Sequence, residues 1–255
     1  MQLRKIPRCG MEVSAVGIGC NNFGNRSTVE ESKAVIARAL DIGITLFDTA
    51  DGYPLGNRGA SETIIGETLG ARRKDIVLAT KFGIRFNDDM RGGASRAYIM
   101  RSVEASLTRL KTDWIDLYQL HIPDGTTPME ETLRALDDLV SQGKVRYIGN
   151  SNFTAWQMVD ADWTAKANGL SPFVSCQNEY SLLNREVDRE LLPAMAKYGL
   201  GFLPFFPLAS GLLTGKYRRG TNAPEGTRFN KTKMLGDRFM TDENWDTVEA
   251  LQAFC

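Results

Sequence analysis

The 255-residue chain has a single histidine, His121, and four cysteines, Cys9, Cys20, Cys176 and Cys255. The cysteines form no CxxC pair and no ligand cluster, so no metal site is expected. Scattered free thiols suit a reducing cytoplasm. Net charge is missing as well, with 31 Lys+Arg against 31 Asp+Glu. That balance gives no electrostatic case for a nucleic-acid or membrane partner. No apolar run approaches the length of a bilayer span. Met1-Gln2-Leu3-Arg4-Lys5 leads into no long apolar stretch, which argues against a signal peptide. The expectation is a cytoplasmic globular protein of ordinary apolar content, its oligomeric state left open.

What the chain does have is regular alternation. A small hairpin, Leu3 to Ile6 and Glu12 to Ser14, precedes a strand at Val16 to Gly19. Helical spacing then predicts helices over Thr28–Asp41, Ser61–Leu69, Ser95–Leu110, Pro128–Gln142, Thr154–Asn168 and Glu186–Tyr198, the second opening on Ser61-Glu62-Thr63-Ile64 as a capped short helix would. Strand-like runs follow them at Ile44–Thr49, Ile76–Lys81, Ile115–His121, Val145–Ser151, Phe173–Asn178 and Gly201–Phe206. Leu208–Met240 has no clear period, and Asp242–Phe254 is a last helical stretch. Such alternation implies parallel strands joined by right-handed crossovers. An open doubly wound sheet would carry a Gly-rich phosphate turn after its first strand. Gly17-Ile18-Gly19-Cys20-Asn21-Asn22-Phe23-Gly24 lacks that spacing. Nearly every strand instead ends in a polar residue, as in a barrel whose chemistry sits where the strands end.

Those strand ends carry a proton-handling set. Leu46-Phe47-Asp48-Thr49-Ala50-Asp51-Gly52-Tyr53 puts a carboxylate at the end of a buried strand and a phenol five residues on. The next two strands end in Lys81 and His121. A buried acid needs a partner, and Lys81 suits Asp48. A lysine ammonium about 4 Å from a phenol favours phenolate by about 4 kcal/mol at an effective dielectric of ~20. That is roughly three pKa units against a free tyrosine near ~10, opposed by burial. Lys81 is thus expected to bring Tyr53 into working range, while His121 orients a substrate oxygen. Taken one at a time, these are a turn cap, a packing aromatic, a solvated strand end and a structural histidine.

Later segments suit a ligand. Ser151, Asn152, Gln177 and Asn178 offer groups for a planar amide, and Phe205 and Phe206 offer rings for stacking. Pro207-Leu208-Ala209-Ser210-Gly211-Leu212-Leu213-Thr214-Gly215-Lys216 combines small residues with a cation. Arg218, Arg219, Arg228, Lys231 and Lys233 make the following loop basic. Backbone amides plus cations suit a pyrophosphate; the plain alternative is a solvated loop.

At this point the sequence resembles the aldo-keto reductases. The resemblance rests on Gly43-Ile44-Thr45-Leu46-Phe47-Asp48-Thr49-Ala50 with Tyr53, on Ser61-Glu62 and on Lys81-Phe82-Gly83. It continues in Asp116-Leu117-Tyr118-Gln119-Leu120-His121, Gly143-Lys144-Val145-Arg146-Tyr147-Ile148-Gly149 and Gln177-Asn178-Glu179-Tyr180. Pro207 to Tyr217 is most similar to the bacterial branch, near the potassium channel beta subunits. The resemblance implies an α/β fold, a (β/α)8 TIM barrel, with residues 1–255 forming one barrel domain. The family's eighth strand and helix, and its 2′-phosphate loop, would fall after residue 255, so the NADP-over-NAD preference is inherited from the family. The resemblance implies NADP(H) as cofactor and an Asp48, Tyr53, Lys81, His121 tetrad with Tyr53 as general acid. It places Asp48, Ser151, Asn152 and Gln177 around the nicotinamide, with Phe205 as the stacking aromatic. It places Pro207, Leu208, Ser210 and Lys216 along the pyrophosphate, and Cys20 and Asn21 near the cofactor. Phe205 stands where the family has Tyr or Trp, and Phe206 where it has Ser.

The expected activity is NADPH-dependent reduction of an aldehyde or ketone on a small-molecule substrate. The rival is a cofactor-binding regulatory or redox-sensing subunit with little turnover; His121 in an intact tetrad favours the enzyme. Segments around Phe23, Ile84–Arg91, Ile122–Thr127 and Leu208–Met240 carry no signal that names the substrate.

Overall fold

The computed structural model describes residues 1–84 and 93–254. Most of the specificity stretch Ile84–Arg91 therefore lies outside the described residues. A two-stranded antiparallel hairpin, β1 (Leu3–Lys5) and β2 (Glu12–Ser14), comes first. Seven further strands form one sheet: β3 (Gly17–Gly19), β4 (Leu46–Asp48), β5 (Val77–Phe82), β6 (Ile115–Leu120), β7 (Val145–Ser151), β8 (Ser175–Glu179) and β9 (Gly201–Phe205). Each strand neighbours the next in chain order, and the pairs from β3 to β8 are parallel. That order, without a reversal, is the winding of the α/β barrel and not of the doubly wound sheet, whose order reverses at a switch point.

Helices α1 (Val29–Asp41), α2 (Ala60–Leu69), α3 (Arg96–Leu110), α4 (Met129–Ser141), α5 (Ala155–Asn168) and α6 (Leu191–Tyr198) form the crossovers. Thr28 and Thr154 start α1 and α5 with capping boxes closed by Glu31 and Gln157. Two expectations fail locally. Ser61 does not cap α2: the cap position is Gly59, and Ser61 is buried within the helix, donating to the Cys20 carbonyl at 2.8 Å. The helix read over Glu186–Tyr198 is a short 3₁₀ turn, Glu186–Asp188, followed by α6. The aperiodic Leu208–Met240 contains a 3₁₀ segment at Ala209–Thr214, then α7 (Arg228–Lys231) and α8 (Lys233–Phe239), with α9 (Asp242–Phe254) after it.

The described chain divides into two compact units. The first holds residues 1–177 and 194–203. Strand β6 throughout, and β5 beyond its first residue, are buried on both faces, which is why they read as apolar runs. Outward residues Phe47, Leu78, Tyr118 and Leu120 are wholly buried. Inward residues split by height. At the floor, Leu46, Ala79, Leu117 and Val174 pack on Ile6, Met11 and Val13 of the hairpin segment, with Leu203 against the same cluster. Residues from four strands and the hairpin thus meet in one apolar plug. Between α2 and α3 the packing needs a glycine. A Cβ on Gly66 would stand 2.4 Å from the Arg109 carbonyl oxygen and 2.5 Å from the Leu110 carbonyl carbon. Lacking one, α2 presses its backbone against the end of α3.

The second unit holds residues 178–193 and those from Pro204 on. Its core gathers Leu212, Tyr217, Phe229, Phe239, Trp245 and Val248, with Phe206 beside them. Among the described residues, no helix is long and apolar enough to cross a membrane.

Candidate active site

Two residues above the floor, on the same inward-facing rows, the side chains become polar. Leu46 is followed by Asp48 on β4, Ala79 by Lys81 on β5, and Leu117 by Gln119 and then His121 along β6. Lys81 is wholly buried and donates to Asp48 Oδ2 at 2.5 Å and to the Thr49 carbonyl at 3.1 Å. Asp48 Oδ1 accepts from Gln119 Nε2 at 3.1 Å and Gln177 Nε2 at 3.0 Å. One carboxylate therefore holds an ammonium and two amides.

Tyr53 hangs from the loop after β4. Its hydroxyl lies 3.3 Å from His121 Nε2, and the Lys81 ammonium stands 5.2 Å from its ring centroid. Burial pushes the Tyr53 phenol above its usual value; Lys81 pulls it down without overcoming that, and Asp48 adds to the rise. The expectation that Lys81 would draw Tyr53 into working range is thus corrected. The phenol remains protonated. Burial alone would lower the Lys81 pKa, but Asp48 and Tyr53 more than reverse it, and the lysine stays charged. Burial, with Lys81 adding, lowers His121 to about 3, so the imidazole is neutral near pH 7. Its Nδ1 is buried with no hydrogen-bond partner.

The amide group sits at the ends of β7 and β8. Ser151 Oγ donates to the Gln177 carbonyl at 2.8 Å. Asn152, at φ 60°, donates through Nδ2 to the His121 carbonyl at 2.9 Å and to Ser151 Oγ at 3.1 Å. Gly149 makes room beneath them: a Cβ there would stand 2.6 Å from Ser175 Oγ and 3.3 Å from Gln119 Cγ. Gln119 Oε1 and Ser175 Oγ are buried without partners. Cys20 is fully buried; its backbone N–H donates to the Asp48 carbonyl at 2.8 Å, and burial raises its thiol pKa well above normal. Asn21 follows it, partly exposed. Thus Asp48, Tyr53, Lys81, His121, Ser151, Asn152 and Gln177 are linked by contacts within the first unit.

Gln119 was missed as a site residue. Its signal was present: in Leu117-Tyr118-Gln119-Leu120-His121 it shares the inward parity of His121. Asp116 in the same motif is structural, held by Arg73 Nη2 at 2.8 Å and Arg146 at 3.1 Å.

Phe205, Pro207, Leu208, Ser210 and Lys216 belong to the second unit. Phe205 and Phe206 meet edge to face at 5.3 Å. Ala209, Ser210 and Gly211 take φ of 47°, 54° and 107° in succession. The Ser210 hydroxyl is buried without a partner, and Lys216 Nζ would lie 3.1 Å from a Cβ on Gly211. Such a concave run of left-handed residues beside an ammonium is suited to an anion. Arg219 is taken up by Asp242 and Asp246, both at 2.7 Å, and Arg228 lies over the Phe206 ring. Among the described residues, no group of three or more His, Cys, Asp or Glu is placed to hold a metal.

The sequence profile of the Aldo/keto reductase family matches residues 15–255. The chain belongs to that family. As an aldo/keto reductase it is 42% identical over 241 residues to "Uncharacterized oxidoreductase YrpG" of Bacillus subtilis, covering 91% of this chain and 73% of the relative. It is 39% identical to "Probable voltage-gated potassium channel subunit beta" of Oryza sativa, covering 99% and 78%. It is 34% identical to "L-glyceraldehyde 3-phosphate reductase" of Escherichia coli K12, covering 98% and 75%. The family and its oxidoreductase relatives support carbonyl reduction as the general class of chemistry.

Proposed function

We propose that this aldo/keto reductase reduces small aldehydes or ketones to alcohols with NADPH, and that Tyr53 is the general acid. The observation that carries the reading is the contact chain Asp48–Lys81–Tyr53–His121: a buried ion pair beside a protonated phenol, itself against a neutral imidazole. Each unit by itself also offers groups that suit part of the cofactor. Ser210 Oγ, the left-handed run at Ala209–Gly211 and Lys216 suit a pyrophosphate; Ser151, Asn152 and Gln177 suit a carboxamide. A reduced nicotinamide supplies a hydride when bound.

The chain's own residues do the rest. The Tyr53 hydroxyl and His121 Nε2 hold the carbonyl oxygen. As negative charge grows on that oxygen, the Tyr53 proton moves to it. The Lys81 ammonium stabilises the tyrosinate left behind, and Asp48 keeps Lys81 charged and in place. His121 stays neutral, so it orients the oxygen without adding a second charge beside Lys81.

The rival reading, a regulatory subunit that binds the cofactor with little turnover, draws on the relative named as a potassium channel subunit beta. Titration with NADPH followed by fluorescence, together with turnover of 4-nitrobenzaldehyde, separates the two. Tyr53→Phe should keep NADPH affinity within about twofold and lose turnover by about a hundredfold or more. Binding without turnover in the parent chain favours the regulatory subunit; equal turnover in parent and variant removes Tyr53 as the acid.

A further inference from the structure

The loop from β4 to Tyr53 is held at its middle by a second carboxylate, Asp51. Its backbone N–H donates to the Lys81 carbonyl at 2.9 Å, and the Tyr53 N–H donates to the Ala50 carbonyl at 3.1 Å. The Asp51 side chain points away from the substrate groups, toward α3. Its Oδ2 accepts from Tyr98 Oη at 3.1 Å and Ser102 Oγ at 3.2 Å, and lies 3.7 Å from Arg58 Nη2. Its Oδ1 is buried with no partner. The whole residue is 5% exposed.

We propose that Asp51 is a positioning residue for Tyr53, tying the loop that carries the phenol to α3 through a buried carboxylate that grips most strongly when ionised. The inference rests on the reading of Tyr53 as proton donor. A carboxylate only accepts, so ionised Asp51 draws both hydroxyls and the guanidinium toward Oδ2; the protonated acid loses the ion pair and the charge-assisted strength of both bonds. The loop then slackens two residues from Tyr53.

The surroundings put this change near neutral pH. Burial raises Asp51, and the neighbouring Glu62 carboxylate on α2 raises it further, while Arg58, Tyr98 and Ser102 lower it; the balance is about 6. Tyr118 on β6 is buried, with its phenol raised well above normal, and carries no charge there. His121, held near 3, does not titrate in this range.

Two measurements test the inference, one of them independent of turnover. The Tyr53 ring resonances, assigned by their loss in Tyr53→Phe, should shift with a midpoint near pH 6 in the parent chain and lose that titration in Asp51→Asn. Tyr98→Phe, which removes one donor to the ionised form, should move the midpoint upward. In turnover of 4-nitrobenzaldehyde with NADPH, the parent kcat should fall about tenfold per pH unit below the same midpoint, with KM little changed. Asp51→Asn should have a low, flat kcat over pH 5 to 8. A Tyr53 titration that persists in Asp51→Asn, or fails to move in Tyr98→Phe, overturns the inference even if the enzyme is active. If the ring titrates as expected but the parent chain turns nothing over, the positioning stands and the carbonyl-reductase reading fails. Should Asp51→Asn not fold, the direction of the Tyr98→Phe shift decides.

Discussion

The floor and the rim of the first unit are built on the same strands, two residues apart, and they obey opposite rules. At the floor, Leu46, Ala79 and Leu117 meet the hairpin residues Ile6, Met11 and Val13 in an apolar cluster. At the rim, Asp48, Lys81 and Gln119 occupy the next inward positions, and Lys81 is as dry as Ala79 beneath it, at 0% exposure. The floor is stabilised without direction, by area removed from water. The rim holds only if each polar group finds its partner, because an unpaired buried charge costs several kcal/mol. One step along a strand therefore separates a region that tolerates reshaping from one that tolerates almost none.

The largest expected break is at the rim. Lys81→Met leaves Asp48 with its two amides and no cation, and should destabilise the fold by about 3 to 5 kcal/mol in urea titration. It also removes the group that pulls Tyr53 downward, so any basic limb of the remaining activity should move to higher pH. An unchanged profile of unchanged height would show that Lys81 does not act on Tyr53.

Leu117→Ala probes the floor with a cut of similar size. It should cost about 2 to 4 kcal/mol through the cavity it leaves. Turnover per folded molecule should stay within about twofold, since nothing polar has moved; a tenfold loss would mean that floor and rim are not separable.

Gln119→Leu is subtler. It removes one of two amides from Asp48 Oδ1 and should cost about 1.5 to 3 kcal/mol, the range for hydrogen bonds to charged groups. The rim account predicts a loss of activity as well as stability, unlike Leu117→Ala, and wild-type turnover in this variant would contradict it.

The smallest effect is one of pH. His121 is lowered from 6.5 to about 3, so the unfolded chain takes up its proton first and stability is lost as pH falls below 6.5, by about 1.4 kcal/mol per unit. Asp51 is raised from 3.8 to about 6, so the folded chain takes up that proton first and gains stability over the same fall. The two nearly cancel between pH 6 and 4. His121→Gln should expose the Asp51 contribution, becoming more stable relative to the parent as the medium is acidified. Urea midpoints that run parallel for the two proteins from pH 6.5 to 4 would disprove this balance.

The parallel strands and their order were legible because each carried its own apolar run and a polar end, and because glycines 143, 169 and 199 closed the helices before β7, β8 and β9. Asp48, Lys81 and His121 were legible as breaks in those runs. The sign of the Tyr53 shift was not: the pull of a charge can be reckoned from a distance, but burial depends on everything packed around the ring. Ser61 misled because Ser-Glu-Thr-Ile matches a cap whether or not the hydroxyl turns inward to Cys20. Gln119 hid in a strand buried on both faces, where only its parity with His121 pointed it inward. Asp51 was not singled out, because its partners Tyr98 and Ser102 lie far along the chain.

The bare contact at Gly66 gives α3 a mechanical part to play. Its last turn is clamped to α2 by that missing side chain, and by Arg109, which grips Glu62 of α2 at 2.7 Å. Glu62 in turn accepts from Thr80 at 2.5 Å, next to Lys81 in β5. The first half of α3 holds Asp51 through Tyr98 and Ser102. A single helix on the outer wall thus braces both the lysine strand and the tyrosine loop, as a spar carries two ribs. A methyl group at position 66 would pry the spar loose at one end, and the amides of α2, α3 and the Tyr53 loop should then exchange with solvent together and not one element at a time.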